Sequence, residues 1–181
     1  MQSVTIEDLK KVIALRDLSD DTLQWLLKHS ESMEYEDGEV VAKTGDPVDW
    51  MFFIIEGSLD FYMDVNGRLI YFYHFANDDE SGGVTGLLPY SRMKAYPGNS
   101  IAVDKLQGLR LHKKYFQELE QLDPAFIQRC IGYMTERAKS FATKQLQLEK
   151  VNALGNLAAG IAHELNNPAS AINRISFELT N

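Results

Sequence analysis

Cysteine and basic residues are scarce in this sequence of 181 residues. The single cysteine, Cys130, cannot form an intrachain disulfide, and no group of Cys and His residues has the spacing of a zinc site. Lys and Arg number 18 against 26 Asp and Glu, which gives a net charge of -8. Because a protein that binds a phosphate backbone needs a clustered basic face, this balance argues against nucleic acid as a partner. We therefore expect a protein of a reducing compartment without a metal site.

Long apolar runs are also missing. Residues 1–8 contain neither the basic cluster nor the apolar stretch of a signal peptide. No later segment approaches the roughly 18 consecutive apolar residues that a membrane span requires. The 45% of apolar and 24% of charged residues are the ordinary balance of a folded globular protein. We therefore expect a folded, cytoplasmic protein with no membrane span.

Turn residues punctuate the middle of the chain. From about Tyr35 onward, short segments rich in β-branched and aromatic residues are separated by turn sequences such as Asp37-Gly38. This spacing is typical of an antiparallel β-sandwich or jelly roll. Asn66-Gly67 predicts a tight hairpin, and the nearly all-apolar run at residues 50–55 predicts an interior strand. With helical patterns before and after this region, the sequence predicts an α+β fold, an antiparallel jelly roll with flanking helices.

Helical periodicity returns after Lys113 and continues from Pro124 to about Asn167 without an internal proline. One small core cannot cover a helix of this length. Apolar residues recur along it at heptad spacing: Ile127, Met134, Phe141, Leu148, Val151, Ala158 and Leu165. Arg137 and Lys144 interrupt the second seam. The pattern predicts a long C-terminal dimerisation helix that forms a parallel homodimeric coiled coil. The alternative is a single amphipathic helix packed against its own domain.

The most specific stretch lies near the C-terminus, where His163-Glu164-Leu165-Asn166-Asn167-Pro168 follows a segment rich in Gly and Ala. A neutral imidazole on an exposed helix face can attack a γ-phosphate and form a phosphoramidate, provided that its other nitrogen can lose a proton. Glu164 is the adjacent carboxylate. Asn167 lies about one helical turn beyond His163 on the same face, where it can position a water molecule or a phosphate oxygen.

This stretch resembles the H-box of sensor histidine kinases, in which small and apolar residues precede a His-Glu-aliphatic-x-Asn-Pro pattern. The resemblance implies that His163 accepts phosphate from ATP, that Glu164 orients the imidazole and accepts its proton, and that Asn167 serves the reverse, phosphatase reaction. It also implies transfer of the phosphate to an aspartate on the receiver domain of a response regulator. ATP would be bound by a kinase domain absent from this chain, because no Gly-rich nucleotide-binding loop is present.

Three earlier segments share an order and spacing with a second family. They are residues 35–41, Lys43-Thr44-Gly45-Asp46-Pro47 and residues 51–59. Together they resemble the cyclic-nucleotide-binding domain of catabolite-activator-like regulators. The resemblance implies a jelly roll, in agreement with the turn spacing. Because the glycines of these segments serve turns, they support the fold more than they support a ligand.

The ligand-binding segment of that family is altered here. In the family, a Phe-Gly-Glu cassette binds the cyclic phosphate through main-chain amides and a following Arg, and its Glu holds the ribose. The matching residues are 82–88, with Val84 in the place of the Glu, and valine cannot accept a hydrogen bond from a ribose. The candidate ligand-binding residues are Gly83, Val84, Thr85, Gly86, Arg92, Lys94 and Ser100. A cyclic nucleotide is the implied ligand, and a pocket that binds none is the alternative.

The sequence thus predicts three parts. Residues 1–123 form a cyclic-nucleotide-binding-like sensor with N-terminal helices, residues 124–150 a coiled-coil signalling helix, and residues 151–181 the start of a histidine-kinase phospho-acceptor domain. The predicted function is the sensory and phospho-acceptor part of a two-component histidine kinase, which is not catalytically competent alone. The alternatives are a catabolite-activator-like regulator that responds to a cyclic nucleotide and a dimeric scaffold without kinase activity.

Overall fold

The computed structural model describes residues 4–65 and 67–178, with side chains described as far as Ile161. The chain divides into two compact units, Met1–Lys139 and Ser140–Asn181. The first unit contains a β-sheet domain with its helices, and the second continues the last helix. Within the described residues, no helix combines the length and the apolarity needed to cross a bilayer.

Two short helices open the first unit. Helix α1, Ile6–Lys11, begins with a capping box, in which the Thr5 hydroxyl accepts from the Asp8 amide and the Asp8 carboxylate accepts from the Thr5 amide. Helix α2, Asp20–His29, is capped by Ser19, whose hydroxyl accepts a helix amide at 3.1 Å. Both helices therefore begin where a hydroxyl precedes acidic residues in the sequence.

Six strands form an antiparallel sheet that folds as a sandwich. The strands are β1 Ser30–Tyr35, β2 Val40–Ala42, β3 Trp50–Val65, β4 Arg68–Ala76, β5 Val84–Gly86 and β6 Asn99–His112. Their order is β1-β6-β3-β4, with β2 paired to β6 and β5 paired to β3. The predicted α+β fold, an antiparallel roll with flanking helices, is confirmed.

Strand β3 is the centre of the sheet. Met51, Phe53 and Ile54 are 0% exposed, which confirms the interior strand predicted at residues 50–55. The β3–β4 ladder extends to the pair Val65 and Arg68, so the predicted tight hairpin is also confirmed. Its residue Asn66 lies outside the described residues.

A 3-10 turn at Lys113–Tyr115 and helix α3, Phe116–Leu122, lead from β6 into helix α4, Pro124–Glu178. The beginning of α4 belongs to the core of the sheet domain. Phe126 is 0% exposed, and its ring centroid lies 6.4 Å from that of Phe53 on the central strand. The core that it joins combines α1, α2, the sheet and the start of α4.

Two residues of the predicted coiled-coil seam have another role. Ile127 is 3% exposed in the core of the sheet domain, and Met134 packs against that core. They are therefore not available to a partner helix. The first four turns of α4 follow the alternative interpretation, a helix packed against its own domain.

The second unit carries a row of exposed aliphatic side chains. Val151, Leu154, Leu157 and Ile161 are 57% to 66% exposed. At about 100° per residue, these four positions fall within roughly 120° of the helix circumference. We call them the apolar stripe.

Gly108 lies where β6 crosses the central strand. A Cβ at this position would overlap the carbonyl oxygen of Phe53, a main-chain atom held in the sheet. We expect Gly108→Ala to lower the free energy of unfolding by about 2–3 kcal/mol, as measured by urea denaturation. Gly132→Ala in α4 is the control, because nothing lies within 4 Å of its Cβ position. That change should be neutral or stabilise by up to about 1 kcal/mol, and equal losses in the two variants would contradict the packing.

Candidate functional site

A turn rich in glycine connects β4 to β5. We call residues 77–86, which include β5, the glycine loop. Gly82 and Gly83 have left-handed φ values of 64° and 71°. The amide of Gly82 donates to the Asp78 carbonyl at 2.6 Å, and that of Gly83 donates to the Ala76 carbonyl at 3.1 Å. These amides are therefore already bound to carbonyl groups of the protein itself.

The predicted ligand-binding residues separate into a buried and an exposed group. Four of the seven lie in the glycine loop, where Val84 is 0% and Thr85 5% exposed. The Val84 amide donates to a loop carbonyl at 3.2 Å. Ser100, on β6, is also buried, whereas Arg92 and Lys94 are exposed. The structure therefore gathers the loop residues but leaves both predicted cations on the surface.

The cation that contacts the glycine loop comes from α4. Arg137 is 8% exposed, and its Nη2 donates to the carbonyls of Ser81, at 2.8 Å, and of Val84. Its guanidinium carbon lies 5.0 Å from the centre of the Phe75 ring and 5.8 Å from that of Tyr133. In the heptad pattern Arg137 is only a polar interruption. A charge on an otherwise apolar helix face was the one signal in the sequence for this contact.

The glycine loop is also packed against a second side chain of α4, Tyr133, and against the N-terminal segment. Tyr133, one turn before Arg137, covers Gly82 so closely that a Cβ there would overlap its ring. The Ala14 amide donates to the Gly82 carbonyl at 2.9 Å, and Arg129 donates to the Ala14 carbonyl at 2.6 Å. The loop is therefore held between the N-terminal segment and the start of α4.

Burial dominates the electrostatics of this region. It lowers the pKa of Arg137, although the guanidinium stays charged because its usual pKa is roughly 12.5 or higher. Burial also raises the pKa of Cys130 to about 12, so its thiol is neutral at physiological pH. It raises the pKa of Tyr96 to about 12 as well, and the Tyr96 hydroxyl is buried without a hydrogen-bond partner among the described residues.

The backbone of His163, Glu164 and Asn167 lies within α4. Their side chains fall outside the described part of the structure, whose side chains end at Ile161. The roles predicted for these three residues stay predictions.

Solved structures match most of the chain. A mutant regulatory subunit of a cAMP-independent protein kinase A from Trypanosoma brucei, bound to cAMP, matches with a TM-score of 0.61 and 20% identity over 79% of this chain and 50% of its own. The corresponding subunit from Trypanosoma cruzi, bound to guanosine, matches with a TM-score of 0.60 and 19% identity over 80% of this chain and 49% of its own. The catabolite activator protein of Thermus thermophilus matches with a TM-score of 0.59 and 14% identity over 76% of this chain and 62% of its own.

The fold is that of a cyclic-nucleotide-binding domain. At these identities the likeness shows the fold alone, and it confirms the architecture implied by the turn spacing and the glycine segments. This chain spans about half the length of the two trypanosomal subunits. No protein-family model and no curated protein matches it.

A double-mutant cycle measures the contact between the glycine loop of this domain and α4. Gly82→Ala should lower the free energy of unfolding by about 3 kcal/mol, because the methyl group overlaps Tyr133 and the left-handed backbone is strained. In a Tyr133→Ala background the same change should cost only about 1 kcal/mol, the backbone strain that remains. Urea denaturation of the four proteins gives both values.

Gly38→Ala is the control for this cycle. Gly38 also has a left-handed φ, 80°, but nothing lies within 4 Å of its Cβ position. Its substitution should therefore cost the same with or without the Tyr133 ring. If Gly82→Ala also costs the same in both backgrounds, the loop and the helix are not packed as described.

Proposed function

We propose that this chain is the sensory and phospho-acceptor part of a two-component histidine kinase. The observation that supports it most is the continuity of α4. One helix of 55 residues begins in the core of the cyclic-nucleotide-binding-type domain, contacts the glycine loop through Arg137, and includes the backbone of the motif at residues 163–168. A change at the loop can therefore act on the helix that holds the acceptor.

In this proposal the neutral imidazole of His163 attacks the γ-phosphate of ATP. The new N–P bond forms as the bond to ADP breaks, and Glu164 accepts the ring proton. The phosphate then passes to an aspartate on the receiver domain of a response regulator. Asn167, one turn beyond the histidine, orients water for the reverse hydrolysis. ATP is bound by a separate kinase domain.

Labelling of the protein with radioactive phosphate in its own cells tests the acceptor. His163→Gln keeps the size and polarity of the side chain but removes the nucleophile, so acid-labile, alkali-stable label should fall to background. His74→Gln is the control, because His74 is an exposed histidine on β4 whose Nδ1 lies 2.7 Å from Asp60. That variant should keep full labelling. Unlabelled wild-type protein, or label that persists without His163, contradicts the proposal.

A second candidate is a regulator that responds to a cyclic nucleotide and has no kinase activity. The cAMP bound in the mutant Trypanosoma brucei subunit of the same fold favours it. The second candidate predicts an effect of the nucleotide on α4 but no phosphohistidine, so the labelling experiment separates the two.

The proposal includes a homodimer that forms through the second unit. Burying a Leu or Ile side chain that is otherwise exposed stabilises an assembly by about 1.5–3 kcal/mol. The apolar stripe, residues 151–161, presents four such positions on one face of a helix, which is the pattern that a parallel coiled coil covers.

Charges placed on the stripe should separate the two copies. Leu154→Glu combined with Ile161→Glu puts two carboxylates at the centre of the stripe, where like charges would face each other across a dimer axis. Sedimentation equilibrium should give twice the chain mass for the wild type and one chain mass for this variant. Asn156→Glu, on the opposite face, should leave the dimer intact. A monomeric wild type, or equal effects of the two variants, contradicts pairing through the stripe.

A further inference from the structure

Arg137 is a buried cation that has no carboxylate partner in the part of the chain that the structure describes. Its side chain is 8% exposed, and it donates to the main-chain carbonyls of Ser81 and Val84. Among the described side chains, no Asp or Glu forms an ion pair with it. Glu80 hydrogen-bonds to Tyr73, which itself bonds to Arg137, but the carboxylate is not a partner of the guanidinium.

Two other arginines of this protein, in contrast, lie beside a carboxylate. Arg129, about two turns earlier on α4, donates to a main-chain carbonyl and lies 3.9 Å from the Asp17 carboxylate. Arg110 donates through Nε and Nη2 to Glu31, at 3.0 and 2.7 Å. Their side chains are 31% and 35% exposed. The most deeply buried of the three guanidinium groups is therefore the one without a carboxylate.

Burial of an uncompensated charge is costly, because the group loses its water and gains no opposite charge in return. The faces of Phe75 and Tyr133 and the two carbonyl dipoles recover part of that loss. They supply only partial negative charge. A full negative charge opposite Arg137 would complete the site.

One donor of the guanidinium is still unused. The Nε of Arg137 is buried and has no hydrogen-bond partner among the described residues. Phosphates and carboxylates accept two parallel bonds from the edge formed by Nε and Nη2. On this edge Nε is vacant and Nη2 donates to the carbonyls of Ser81 and Val84, which are weaker acceptors than an anion.

We propose that Arg137 is the anion-binding group of the cyclic-nucleotide-binding-type domain and that its ligand is a small molecule bearing a phosphate. This inference rests on the sensor role proposed above and adds the chemistry of the ligand. It assigns the charge to α4 in place of Arg92 and Lys94, which are exposed. The cAMP bound in a mutant subunit of the same fold favours a phosphate over a carboxylate, and the guanosine bound in the Trypanosoma cruzi subunit makes the uncharged nucleoside the matching control.

Binding at this edge also connects the ligand to the helix. A phosphate on the Nε–Nη2 edge uses one of the two Nη2 hydrogens, so Nη2 releases one of the two carbonyls that it now binds, those of Ser81 and Val84. The glycine loop then loses one of its hydrogen bonds to α4, while Arg137 gains a full counter-charge. Occupancy of the site therefore changes the contact between the loop and the helix that carries His163.

Thermal unfolding of the full chain tests the proposal. The probes are cAMP, inorganic phosphate, guanosine as an uncharged nucleoside, and potassium chloride at matched ionic strength. A phosphate-bearing probe at about ten times its dissociation constant should raise the Tm of the wild type by about 3–6 °C. Guanosine and potassium chloride should not. Arg137→Met should abolish the rise, whereas Arg129→Met and Arg92→Met should keep it.

Each outcome decides the question. A rise in Tm that is as large with inorganic phosphate as with cAMP shows a site for the free anion. A rise in Tm with cAMP alone shows that the site also recognises the nucleoside. Both results support the proposal if they require Arg137. It is overturned if no phosphate-bearing probe raises the Tm, if guanosine acts as well as cAMP, or if the rise survives in Arg137→Met.

A second measurement covers the case in which Arg137→Met does not fold. The Nε–H resonance of Arg137 in the wild type can be identified by its absence from Arg137→Lys. It should shift on addition of cAMP or phosphate and not on addition of guanosine. An unchanged resonance overturns the proposal, and neither experiment depends on phosphorylation of His163.

Discussion

Arg137 donates to the carbonyls of Ser81 and Val84 from a position that water hardly reaches. Hydrogen bonds from a charged donor are each worth about 1.5–3 kcal/mol, and the loss of their acceptors would leave a buried charge with still less compensation. A rotation of α4 by one residue, about 100°, would break both bonds. The interaction therefore fixes the start of α4 in one register on the glycine loop, or releases it altogether.

The rest of the loop is built around that contact. Gly82 adopts a backbone conformation that favours glycine, and its missing side chain leaves room for the Tyr133 ring. Its carbonyl accepts from Ala14, whose own carbonyl accepts from Arg129 on α4. Because helix, loop and N-terminal segment share these bonds, a displacement of one requires a displacement of the others. Such a closed set of contacts has discrete arrangements, which is what a signalling element needs.

Local features of the sequence predicted the local structure. The Asn-Gly pair located the β3–β4 hairpin, because a tight turn depends only on neighbouring residues. The heptad pattern failed at Ile127 and Met134, since apolar residues at this spacing look the same whether they face a partner helix or their own domain. Arg137 was missed as a site because its acceptor Ser81 lies 56 residues away in the chain.

The choice of ligand chemistry follows from what the glycine loop has lost. Val84 is fully buried and cannot hold a ribose hydroxyl, and the amides of Gly82, Gly83 and Val84 are bound to carbonyl groups. The amide dipoles of the loop and a ribose acceptor therefore contribute less to ligand recognition. The charge of Arg137 is the main contribution that remains. A ligand shifts a conformational equilibrium only by the difference in its affinity for the two states. A ligand-binding charge on α4 is therefore more effective than one on the loop in shifting the helix between its loop-bound and released states. A counter-charge at Arg137 competes directly with a loop carbonyl for Nη2, so the energy of binding acts on the contact that fixes α4.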